Sequence, residues 1–241
     1  LAGRIGRTSW RYAVPDRDEL IAAARPLLVG PSLLGREDTY LLDQALRILR
    51  YVDVILTFDE VESLRLDRVC LDAAALFQDA ARVRLERERR ESPVYAAATM
   101  STDEVRGYSA ELAGDALRDL LTARQIEHTQ TIIRQNQNRA TRVPEAMVLS
   151  DACNLDDLGT LGVWRELRRF AVEGRGLDEV LASWQRKLDY GYYAARVGDT
   201  FRFAPSRRWA EARVRRLEQF MAAMIREHAA DDRDEPDGAT P

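Results

Sequence analysis

Apolar residues recur at three- and four-residue steps along most of this chain, the repeat of an α-helix with one buried side. The clearest run is Glu37–Thr57, where Leu42, Leu46, Leu49, Val52 and Leu56 share a face. Asp16–Val29 opens on an acidic turn and carries Leu20, Ile21, Ala24, Leu27 and Leu28 along one side, with Pro26 as a breaker. Val61–Leu85 continues the pattern through Leu64, Val69, Leu71, Ala75 and Leu76. Ser101–Leu121 begins with Ser101 and Glu104 at the spacing of a capping box, in which hydroxyl and carboxylate satisfy free backbone donors. Arg124–Asn138 follows and ends in a polar tract before Pro144. Asp151–Val172 is closed by Gly174 and Gly176, and Leu177–Tyr193 and Ser206–His228 complete the series. Two-residue alternation shows only near Thr200–Phe203. The pattern predicts an all-α fold: one compact helical domain over residues 16–228, an N-terminal extension over 1–15, and a disordered acidic tail over 229–241.

Composition narrows the chemistry. The chain has 241 residues with 46% apolar and 32% charged positions, the balance of a soluble globular protein rather than a disordered one. No stretch approaches the roughly 20 apolar residues of a membrane span, and no apolar leader is evident, so the expected compartment is the cytoplasm. The net charge of −4 gives no global attraction to phosphate backbones, and nucleic acid is not an expected partner. The expected partner is a small molecule or another protein, a second copy of the chain included. Two cysteines, Cys70 and Cys153, exclude a disulfide framework. Two histidines, His128 and His228, exclude a site of three imidazoles within one chain.

Few motifs carry chemistry. Phosphate-loop, dinucleotide-fold and nucleophile-elbow patterns are absent. The tract Arg82–Arg90 reads as a solvated helix face laced with opposite charges, with a nucleic-acid or acidic-ligand contact as the lesser option. His228 sits where an imidazolium complements a helix dipole. The segment Asp151–Trp164 packs Asp151, Asp156 and Asp157 close together. One reading is a helix start, capped by Asp151 or Asn154 and followed by an acidic first turn; the other is a metal or proton-transfer site. Gly159 and Gly162, placed within the same helix, suggest close packing there. The aromatic residues from Trp184 to Trp209 read as core, with a partner surface as the lesser option.

That segment also carries a resemblance. Asp151-Ala152-Cys153-Asn154-Leu155-Asp156-Asp157-Leu158-Gly159 is similar to the DAD-x-LD-x-LG motif found in one branch of the HD-domain metal-dependent phosphohydrolases, with Cys153 in place of the second acid. Ala74–Ala80 resembles the apolar-run–His-Asp motif, with Gln78 in the histidine's place before Asp79. Gln44–Leu49 resembles the first-helix motif, again with glutamine for histidine and Arg47 three residues on. The polar tract Arg134–Arg139 falls where many members carry further histidines. The resemblance implies a single HD-domain-like helical domain. It implies that the family's ligands, two histidines and two aspartates around a divalent metal, correspond here to Gln44, Gln78, Asp79 and Cys153. Only Asp79 keeps its type, and amide oxygens are poor substitutes for imidazole. The expectation is a degenerate site, no bound cofactor, and a catalytically inactive homologue that binds or scaffolds. Arg47, Asn136, Gln137, Arg139, Asp151, Asp156 and Asp157 are the remaining candidate pocket residues. The alternative is an active phosphohydrolase on nucleotides or small phosphoesters. It would hold Mg, Mn, Fe or Zn through Asp79 with Asp151, Asp156 or Asp157 in a rebuilt carboxylate site. A third possibility is a non-catalytic sensor that takes an anionic nucleotide through Arg47 and Arg139.

Overall fold

A computed structural model describes residues 15–32, 35–85 and 101–233. The N-terminal extension up to residue 14, the second half of the arginine-rich tract, residues 91–100 and the last eight residues of the tail lie outside the described residues. The fold is all-α: α1 (Arg17–Leu28), α2 (Tyr40–Ile55), α3 (Asp59–Glu62), α4 (Arg68–Phe77), α5 (Thr102–Ala116), α6 (Ala123–Gln135), α7 (Pro144–Asp157), α8 (Thr160–Val172), α9 (Leu177–Asp189), α10 (Tyr192–Thr200) and α11 (Ala204–His228). Helical backbone also runs over 81–85. One antiparallel pair of two-residue strands, β1 (Gly30–Pro31) and β2 (Glu37–Asp38), joins α1 to α2 with Gly30 opposite Asp38. The alternation near Thr200–Phe203 forms no strand; it is the end of α10 and the lead into α11. Among the described residues no helix is long and apolar enough to cross a membrane.

Two compact units divide the chain. Among the described residues, one takes those of 15–52 and 65–149; the other takes 53–64 and 150–233. In the first, α4 is the centre. Every residue from Cys70 to Phe77 is buried, and α1, α5 and α6 pack around it. Ala73, Ala74 and Ala75 keep its surface small enough for close helix approach. Asp67 caps α4 by accepting the Cys70 N–H at 3.1 Å, while its own N–H donates to Glu145 Oε1 at 2.8 Å. Buried Asp72 accepts from Arg17 (2.9 and 3.1 Å) and Arg68 (2.7 Å), tying α1 to α4. The capping box of Ser101 and Glu104 forms as the spacing predicts, at 2.7 and 3.3 Å. A second box, Thr122 with Gln125, starts α6 one residue before the predicted helix. The core face of α2 is Leu41, Leu42, Ala45, Ile48, Leu49, Val52 and Ile55, whereas Leu46 and Leu56 are half-buried. The face is thus rotated slightly from the one the leucines suggest.

Three predicted helices are broken. Val61–Leu85 divides at the Asp67 cap and again at a turn over residues 78–80. Leu177–Tyr193 divides at Gly191, whose φ of +62° ends α9 and opens α10. Asp151–Val172 is the most consequential. The helix begins at Pro144, where a missing N–H is harmless, and runs to Asp157; Gly159 at φ +86° then breaks it before Thr160. Asp151 and Asn154 are therefore mid-helix and cap nothing on their own segment. Asp156 and Asp157 close a helix instead of opening one. Gly162 sits in the first turn of α8, where a Cβ would lie 2.3 Å from the Asp157 carbonyl oxygen, so the break requires glycine at both positions. Gly159→Ala must adopt a left-handed backbone with its Cβ 3.3 Å from the Arg213 side chain. It is expected to lose about 1–2 kcal/mol in a denaturant melt.

The second unit packs Val163, Trp184, Leu217 and Met221 into a core, with Leu167, Leu181, Tyr193 and Met224 against it. Trp184 and Tyr193 stack tilted at 5.1 Å. Phe201 and Phe203 are also buried, as a core reading of these aromatics predicts. Tyr190 is not: it is 83% exposed, and Trp164 is 57% exposed.

Candidate functional site

The turn that ends α4 places Gln78 and Asp79 together, and the turn that ends α6 brings Asn136 to them. Gln78 is the C-cap of α4 and Asn136 the C-cap of α6; both are buried. Asn136 Nδ2 donates to Gln78 Oε1 at 2.8 Å, and Gln78 Nε2 donates to Asp79 Oδ2 at 3.2 Å. The other oxygen of Asp79 accepts from Arg82 Nε, one turn along. The result is a chain of amide, amide, carboxylate and guanidinium within the first unit. Gln44 is buried in α2 of the same unit, and Arg47, one turn on, is half-buried. Gln137 follows Asn136 with φ +63° and accepts from Arg106 Nη2 at 2.7 Å; Arg139 is exposed.

The remaining candidates belong to the second unit. Cys153 is buried in α7. Asp151, fully buried, accepts the N–H groups of Arg202 (2.8 Å) and Phe203 (3.1 Å), and Glu60 accepts that of Ala204 at 3.1 Å. Two carboxylates thus satisfy the donors at the start of α11, whose own N-cap, Phe203, has no side-chain acceptor. Burial pushes the Asp151 carboxyl up to about 6, against the pull of those two N–H groups. Asp156 and Asp157 lie at the negative end of α7, where a carboxylate is unfavourable. Arg165 pairs with both, at 2.8 Å to Asp156, and Arg196 pairs with Asp157 at 2.6 Å.

These geometries correct the reading of Asp151–Trp164 as a single constellation. Asp151 serves one helix start, and the other two acids serve an arginine network. They do not converge on a common point. The histidines are taken up elsewhere: His128 faces Glu145 at 3.2 Å and His228 faces Asp178 at 2.7 Å. Burial lifts the Cys70 thiol to about 12, leaving it unreactive. Among the described residues no three His, Cys, Asp or Glu side chains gather where they could hold a metal ion. The hydrogen-bonded chain of the first unit does not suit a divalent metal: its amides are neutral, and its one carboxylate already faces a guanidinium. Sequence reasoning missed Arg82, assigning it to a solvated face; the i,i+3 spacing from Asp79 is the signal that could have found it.

No protein-family model matches the chain, and no curated protein matches it. Solved structures do. The crystal structure of the Lin1889 protein from Listeria innocua aligns with a TM-score of 0.54 at 16% identity, over 89% of this chain and 98% of that one. The crystal structure of Bacillus subtilis YpgQ aligns with a TM-score of 0.55 at 19% identity, over 90% of this chain and 97% of that one. At such identities the likeness is one of fold.

Proposed function

We propose that this chain is an HD-domain-like helical protein with a degenerate metal position, acting by binding or scaffolding rather than by phosphoester hydrolysis. The observation that carries this reading is the hydrogen-bonded chain Asn136–Gln78–Asp79–Arg82. Metal-assisted hydrolysis needs an ion that lowers the pKa of a bound water and polarises the phosphoryl group. Neutral amides at 44 and 78 and a carboxylate matched by arginine supply no such centre. The polar groups instead satisfy one another, which keeps a buried polar cluster tolerable without an ion. The rebuilt carboxylate alternative has less support: Asp151 accepts two backbone N–H groups, and Asp156 and Asp157 pair with arginines.

A screen of p-nitrophenyl phosphate and the common nucleotides with Mg, Mn, Fe and Zn tests the proposal. No turnover above the metal-only background is expected with any of them. Turnover that a chelator abolishes would overturn it.

A further inference from the structure

Asp79 is the one residue at a resembled ligand position that keeps its type, and both of its oxygens are occupied from within the chain. Arg82 Nε donates to one, and Gln78 Nε2 donates to the other at 3.2 Å. Gln78 is fixed in turn, because its carbonyl oxygen accepts from buried Asn136 at 2.8 Å. A guanidinium keeps its charge at every accessible pH. The Arg82 side chain is half exposed while that of Asp79 is largely buried, at 50% and 17%. An ion pair open to solvent on one side contributes little stability by itself. Its placement therefore matters more for what it keeps out than for what it holds together.

We propose that Arg82 is a tethered counter-cation for Asp79, closing that position to divalent metal ions and making the first unit independent of metal. The inference rests on the reading above that the metal position is degenerate, and it adds a cause. The glutamines alone do not account for the closure; the arginine one turn past Asp79 keeps the carboxylate neutralised even if better ligands are restored. Coulombic exclusion explains the direction of the effect. A divalent cation approaching Asp79 meets a fixed positive charge within one helical turn, and the carboxylate it would use is already compensated.

The test restores the ligands with and without the arginine. Wild type, Q44H/Q78H and Q44H/Q78H/R82M are titrated with Mn²⁺ alone by calorimetry, and the melting temperature is read with and without 1 mM Mn²⁺. Wild type and Q44H/Q78H are expected to show neither heat nor a melting shift. The triple variant is expected to bind at least tenfold more tightly than Q44H/Q78H, to melt higher with Mn²⁺, and to lose both effects on adding Asp79→Asn. If Q44H/Q78H binds Mn²⁺ as tightly as the triple variant, Arg82 is no barrier and the proposal fails. Equally, a folded triple variant without Mn²⁺ affinity overturns it, with Arg82→Gln in place of methionine as the second variant if the first does not fold. Both of those outcomes leave the degenerate-site reading standing. Mn²⁺ binding by the wild type would remove that reading and this inference together.

Discussion

Replacing Arg165 by methionine is expected to destabilise the protein by about 3 kcal/mol, the largest loss from a single polar substitution. Asp156, fully buried at the end of α7, and its neighbour Asp157 both pair with this guanidinium. Its removal leaves Asp156 buried beside the negative pole of its own helix without that counter-charge, while Asp157 keeps Arg196. Removing one member of a buried pair typically costs about 3–5 kcal/mol; the lower end applies because the Arg165 side chain is one-third exposed. Urea melts check the value, and the pair makes a second demand on them. Adding Asp156→Asn to Arg165→Met is expected to return at least half of the loss, since the buried charge has then gone as well. An Arg165→Met protein as stable as the wild type would show that Asp156 is held by other groups.

Asp151→Ala is the second large effect. The Phe203 N–H loses its acceptor in a buried place and the Arg202 N–H in a partly buried one, each at about 1–3 kcal/mol with the lower end for Arg202. Relief of the carboxylate's burial offsets part of this, so the net loss at pH 7 is about 2–3 kcal/mol, roughly 5–10 °C in melting temperature. The pH dependence has a definite sign. Burial holds the Asp151 carboxyl near 6, above its ordinary value of 3.8. Between those values the folded state binds the extra proton, so its contribution is full below pH 4 and is lost as pH rises through 6. Asp151→Asn retains one acceptor without the charge. It is expected to lose less stability than alanine at pH 7 and to flatten the stability profile between pH 4 and 6. An unchanged profile would remove Asp151 as its source.

Helical periodicity made most elements legible, and the Ser101–Glu104 box fixed the start of α5 to the residue. The breaks were not legible, because apolar spacing runs on through them. Gly159 and Gly191 look like mildly unfavourable helix residues in sequence, and nothing local shows that they take a positive φ. The same limit misgrouped the acids of α7. Asp151 and Asp156 are near in sequence, yet five helical residues turn them about 140° apart, toward different neighbours. The resemblance, by contrast, drew attention to residues that the fold joins by hydrogen bonds. It singled out Gln78 and Asp79, and it placed further polar residues at 134–139, where Asn136 reaches Gln78. Arg82 escaped because a charged tract on a helix is ordinarily a solvated face, and only the turn that ends α4 aims its first arginine back at Asp79.

All of this converges on whether Asp79 holds a metal ion. The most direct measurement is the metal content of protein purified without added metals or chelators, by inductively coupled plasma mass spectrometry, beside that of Asp79→Ala. A degenerate site predicts well under one-tenth of an equivalent of any transition metal, unchanged by the substitution. Iron, manganese or zinc near one equivalent in the wild type, lost on Asp79→Ala, would contradict it.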